Sequence, residues 1–168
     1  MKKFTLLLVV GLMATAAMAQ KYAVINSDYI LKKNAKYKAV QEQVDNLAAQ
    51  YQKEVDASFS TVDEMYRVYQ AEKVLLSDEL RRKHEGDIIA AEKEAKELQR
   101  KYFGPEGTLF AKREELMKPI QDALYKAVKD IADEGGYAVM FDAANNPSLL
   151  YVNPRYDKSD DVVKRLGF

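Results

Sequence analysis

The chain of 168 residues contains no cysteine and a single histidine, His84. Without cysteine it has neither disulfides nor thiolate metal sites, and one histidine is a poor foundation for a metal centre or a catalytic triad. No G-x-x-x-x-G-K-[ST] loop is present to cradle phosphates, which argues against nucleotide-driven work. There is no surplus charge either. Lys plus Arg and Asp plus Glu each total 26, so no basic field calls for nucleic acid. The acidic pairs have no pocket or partner base, so acid–base catalysis has no foothold. These absences predict a protein that is not an enzyme and that takes no cofactor or metal. Between Asp28 and Phe103 there is no proline and one glycine, Gly86.

The N-terminus reads as a targeting segment. Met1-Lys2-Lys3 is a short basic start, Phe4 to Leu12 an apolar run, and Ala17-Met18-Ala19 a small-x-small cleavage site. Cleavage is expected after Ala19. Gln20 follows, not cysteine, so no lipid anchor is expected. No later apolar run reaches transmembrane length, so the mature chain is expected to be soluble and exported. Losing Lys2 and Lys3 leaves 24 basic against 26 acidic residues.

What is abundant is helix signal. Tyr37, Val40, Val44, Leu47, Tyr51, Val55, Phe59, Val62, Tyr66 and Tyr69 recur at steps of three or four, one stripe along an α-helix with polar residues between. The eleven residues from Val44 to Val55 form a stutter in a heptad-like pattern. A second stripe follows: Leu80, His84, Ile88, Ala91, Ala95, Leu98 and Tyr102. Asn26, Ser27 and Asp28 are competent N-caps, and no break is expected before Leu75. Ser77 and Asp78 cap the second helix, so residues 75–78 are read as a hairpin tip. Gly104-Pro105-Glu106-Gly107 interrupts the return, Pro119 should kink it or start a fresh helix, and Gly135-Gly136 ends it. A helical arm over residues 28–134 is the result.

The remainder, residues 20–27 and 135–168, is read as a small β-rich body. Lys21 to Asn26 and Tyr137 to Asp142 read as strands. Asn145-Asn146-Pro147 supplies a turn into a further strand, Leu149 to Val152, and Ser159 caps a short helix running to Leu166. The fold class is α+β: a long antiparallel helical hairpin on a small β body. A core of that size without disulfides or metal is marginal alone, so the body is expected to oligomerise. Sequence physics does not fix the number of copies.

The ends carry a resemblance. Lys21-Tyr22-Ala23-Val24-Ile25-Asn26 opening a strand before a long helical hairpin is similar to the Skp/OmpH family of periplasmic chaperones. Gly136-Tyr137-Ala138-Val139-Met140-Phe141-Asp142, Leu150-Tyr151-Val152-Asn153 and Ser159-Asp160-Asp161-Val162-Val163-Lys164 resemble the family's closing strands and helix. The similarity runs from Lys21 to Leu166. It implies a periplasmic homotrimer with strands pooled in a β-barrel, whose arms enclose a cavity. Such proteins hold unfolded outer-membrane proteins without ATP. The best-known members are strongly basic, with positively charged tips; this chain is near neutral. Electrostatic capture should be weaker, and no lipopolysaccharide site is carried over.

Most of the stripe reads as seam between the two helices. Candidate client-binding residues lie beside it or near the tip: Met65, Val68, Val74, Leu75 and Leu76, with Met suited to varied partners. Arg81, Arg82 and Lys83 form the one local basic cluster, a candidate contact for acidic clients or, weakly, for anionic lipid head groups. His84 reads as packed in the seam, and Asp142 as accepting turn N–H bonds. The alternative reading is a structural coiled-coil spacer or envelope tether.

Overall fold

The computed structural model describes residues 21–144 and 146–168. The targeting segment, with its cut after Ala19, lies outside the described residues. In chain order come β1 (Lys21–Ile25), α1 (Ser27–Lys33), α2 (Ala35–Glu72), α3 (Asp78–Phe103), α4 (Thr108–Gly135), β2 (Tyr137–Asp142), a 3-10 turn (Pro154–Tyr156) and α5 (Ser159–Leu166). They make two compact units, residues 21–34 with 122–168 and residues 35–121. The protein is mostly helical, with one two-stranded sheet among the described residues.

β1 and β2 pair in parallel, Val24 opposite Phe141 and Ile25 opposite Asp142. Parallel strands need a crossover, and here everything from Asn26 to Gly136 is that crossover. At its far edge β1 meets Asp157 in a bridge at Val24, and Lys158 donates its N–H to the Val24 carbonyl at 2.8 Å. The apolar side chains of Ile25, Ile30, Ala127, Ile131, Val162 and Val163 form the core of this unit. Ile30 and Val162 are wholly buried.

Four expectations change. The helix from Asn26 does not run unbroken to the tip. It stops at Lys33, and Asn34 is extended, its N–H turned back to Leu31. The short α1 is thereby a separate piece, packing Ile30 into the core beside α5. Second, Leu149 to Val152 is not a strand. β-Propensity describes how side chains fit a pleated surface, and a strand exists only where an edge takes its hydrogen bonds; both edges of β1 are in use, and this segment does not pair with the open outer edge of β2. Third, no fresh helix starts at Pro119, and α4 continues through it. Glu115 and Pro119 are exposed, so the carbonyl that the proline leaves unbonded faces water. Fourth, Ser159 does not cap α5. Lys158 holds the cap position without a side-chain bond, while Ser159 Oγ accepts the Asn26 N–H at 2.8 Å and donates to Asp157 Oδ1 at 2.6 Å. Ser159 is buried because it ties the end of β1 to the start of α5.

Asp142 ties the other side of the same junction. Its Oδ1 accepts the N–H groups of Ser27 and Ala144, each at 3.0 Å, and Oδ2 accepts the Ser27 hydroxyl at 2.5 Å. Burial is the largest single influence and pushes its carboxyl up. The bonds from the Ser27 hydroxyl, the Ser27 N–H and the Ala144 N–H together outweigh it and hold the group below the usual carboxylate range. A depressed folded value contributes stability that is complete above the unfolded value, near 4, and is lost as pH falls through the folded one. Asp142→Ala should therefore cost about 2 kcal/mol at pH 7. In chemical denaturation at stepped pH, the variant's deficit should shrink below pH ~4; a constant deficit would show that the charge of Asp142 contributes nothing.

Candidate functional site

Within residues 35–121, α2 and α3 lie against each other as an antiparallel pair. The pairing is fixed by rings: Tyr69 stacks on His84, centroids 6.3 Å apart, and Tyr51 stacks on Tyr102 at 4.2 Å with planes 7° apart. Each phenol is anchored across the seam, Tyr69 donating to Glu85 and Tyr102 to Glu54, both at 2.5 Å. Those acceptors hold the two phenols above their ordinary value, so both stay neutral. The buried residues are Val44, Val55, Val62 and Tyr69 along α2 and Ala95 on α3. Their spacing keeps the stutter: eleven residues from Val44 to Val55, then seven and seven. Tyr66, counted with the stripe, instead lies 55% exposed. His84 is packed at the seam, half-buried under Tyr69.

The tip is a closed turn. Lys73 N–H bonds the Tyr69 carbonyl and Leu75 N–H the Glu72 carbonyl, each at 2.8 Å, and Ser77 Oγ caps α3 by accepting the Leu80 N–H at 3.4 Å. Arg81 belongs to this turn, its Nε on the Leu76 carbonyl at 3.1 Å and its guanidinium 3.3 Å from Asp78. Arg82 donates to the Asp78 carbonyl at 3.3 Å, and Lys83 pairs with Asp87 at 3.0 Å. Each member of the basic cluster is thus engaged by its own helix or turn. Of the apolar candidates, Leu76 and Met65 are half-buried and Val68 is exposed. Val74 and Leu75 stand 87% and 86% exposed on the locked turn.

On the return side Gly104 to Gly107 is a tight turn. Gly107 N–H bonds the Gly104 carbonyl at 2.8 Å, and Thr108 Oγ1 reaches back to Lys101 O at 3.2 Å. Gly107 is buried, and a Cβ there would sit 2.8 and 2.9 Å from the carbonyl oxygens of Tyr102 and Gly104. Glu106 is left-handed at φ 61°. Three exposed apolar residues, Ile89, Phe103 and Phe110, were absent from the sequence-based candidates. Ile89 and Phe103 are out of phase with the α3 stripe, and that mismatch was the signal for them.

Among the described residues no group of His, Cys, Asp or Glu could hold a metal ion, and no helix is long and apolar enough to cross a membrane. A cleft of about 580 Å³ in the other unit is lined by side chains already in ion pairs, Lys158 with Asp161 and Arg165 with Glu134.

This arrangement of helices and strands has known counterparts. A family model described as Outer membrane protein (OmpH-like) matches residues 21–166. The chain belongs to this OmpH-like family. The fold agrees with the crystal structure of an OmpH-like outer membrane chaperone candidate from Caulobacter crescentus CB15. That match has a TM-score of 0.70 at 14% identity, over 88% of this chain and 83% of that one. No curated protein matches the sequence. OmpH-like proteins are periplasmic chaperones for outer membrane proteins and are not enzymes. An OmpH-like surface has no need of a reaction centre; it needs apolar groups that folding leaves in water.

By that criterion seam and tip should part company under mutation. Val55→Ala removes buried methyls and should cost about 2 kcal/mol. Val74→Ser with Leu75→Ser should change stability by less than about 0.5 kcal/mol, since neither side chain is covered. Thermal unfolding followed by circular dichroism separates the two; a large loss in the tip variant would make Val74 and Leu75 packing residues.

Proposed function

We propose that this OmpH-like protein is an ATP-independent periplasmic holdase. It would bind unfolded outer-membrane proteins in a cavity formed between the helical arms of three copies. The observation that carries this reading is the pair Val74 and Leu75, left in water on a turn held by the Lys73 and Leu75 N–H bonds and the Ser77 cap. Covering two such side chains contributes about 1.5–3 kcal/mol each, too little for tight binding by one arm. Three linked arms raise the effective concentration of each further contact while every contact stays reversible. Binding the unfolded chain lowers its free concentration and so slows aggregation by mass action. Met65, Val68 and Leu76 would extend the apolar surface. With Arg81, Arg82 and Lys83 already engaged within the arm, lipid head groups and acidic clients would be held weakly by charge.

The trimer rests on the body. β2 leaves Val139 and Phe141 exposed, and Leu150 and Tyr151 are 94% and 76% exposed in a segment of strand-like sequence. β2 pairs only with β1 among the described residues, so its outer edge is open, and a strand from a neighbouring copy would cover it, pooling the strands in one barrel.

The cross-seam anchors at Tyr69 and Tyr102 also suit a rigid spacer, so the decisive test is activity. An unfolded outer-membrane β-barrel protein is diluted from urea with and without residues 20–168, and light scattering is followed. Scattering should fall to baseline near one trimer per client, with a solution mass of three chains. Undiminished scattering at that ratio would favour the spacer.

A further inference from the structure

The return side carries a second feature that the tip reading does not use. The turn at Gly104 to Gly107 is flanked by Phe103, the last residue of α3, and Phe110, in the first turn of α4, which are 38% and 50% exposed. Three residues further out on each helix stands an arginine, Arg100 before Phe103 and Arg113 after Phe110. Residues three apart share one helical face, so each ring has an arginine on its own side of the helix. Neighbouring lysines are occupied, Lys112 by Glu115 at 2.7 Å and Lys101 over the ring of Tyr102 at 5.7 Å. Among the described residues Arg100 and Arg113 have no ion-pair or side-chain hydrogen-bond partner. The turn that presents them is closed by its own bonds and holds Glu106 in a left-handed conformation, which costs a non-glycine residue free energy. Backbone held in such a state is more common at binding sites than elsewhere.

We infer that Phe103 and Phe110, with Arg100 and Arg113, form a second contact site for unfolded polypeptide. Its occupant is an extended segment carrying aromatic or large apolar side chains next to carboxylates. The rings supply apolar and edge-to-face contact, and the free guanidiniums supply the charge complement that the engaged tip cluster lacks. Outer-membrane strands, whose apolar bands end in aromatic girdles, offer the required side chains when unfolded. This inference rests on the holdase reading and extends it to a place where recognition has a charge component.

The test uses residues 20–168 and a fluorescently labelled, unfolded outer-membrane β-barrel protein, titrated at about 0.05 M and about 1 M salt. Phe103→Ser with Phe110→Ser should weaken binding about tenfold at both salt concentrations. Phe103→Leu with Phe110→Leu should retain most of it. Arg100→Gln with Arg113→Gln should weaken binding several-fold at low salt and leave it unchanged at high salt, where exposed charges are screened. Unaltered helical circular dichroism certifies each fold. If the serine pair does not fold, the arginine pair, exposed on both helices, decides alone. Binding by both pairs equal to the parent's, while the parent still suppresses aggregation, would overturn this site and leave the holdase intact. A parent that binds no unfolded client would overturn both.

Discussion

The parallel pairing of Lys21–Ile25 with Tyr137–Asp142 is the constraint on which the chain depends. It obliges the polypeptide to leave one strand and return to its neighbour in the same direction, and the whole helical excursion fills that interval. The junction is secured by two polar ties. Ser159 takes the Asn26 N–H, and Asp142 takes Ser27. Both replace water on backbone donors at the start of α1, where the first N–H groups of a helix have no partner of their own. The apolar core beneath is small, and Ile30 from α1 and Val162 from α5 are its fully enclosed members.

The helical unit follows a different economy. Its seam is one residue wide, and among residues 35–121 only the side chains of Val44, Val55, Val62, Tyr69, Ala95 and Ile120 are buried. Register comes from aromatic stacks and phenol–carboxylate bonds at two levels, Tyr69 with His84 and Glu85, and Tyr51 with Tyr102 and Glu54. Two helices joined this way leave most of their circumference in water. For a periplasmic chaperone that is useful, because surface not spent on folding remains for a partner. Apolar residues at the tip and beside the 104–107 turn interrupt an otherwise charged surface.

The charges also bear on function. Nearly every lysine and arginine near the tip has an acidic or carbonyl partner three or four residues away, the usual arrangement on a solvated helix. Such pairs contribute little to stability, yet they cancel the field that a basic tip would project. In the proposed holdase apolar contact is then the principal means of capture at the tip, and the unpaired arginines further along stand out by comparison.

The helices, the tip near Ser77, the interruption at 104–107 and the family were legible in the sequence, because period, capping residues and glycine–proline punctuation are local properties. Asn34 was not, because a single polar residue in a helix-forming run stops the helix only when Ile30 has a core to enter. The partner of β2 was equally hidden, since hydrogen bonds between strands distant in sequence leave no periodic trace. Leu149 to Val152 has strand-like side chains, yet propensity cannot supply an edge. Sequence by itself determined where this chain is helical and which residues repeat along a face. Only the tertiary structure decided which of those residues are covered, because burial depends on what the rest of the chain brings alongside, as the enclosed Val55 and the bare Leu75 demonstrate.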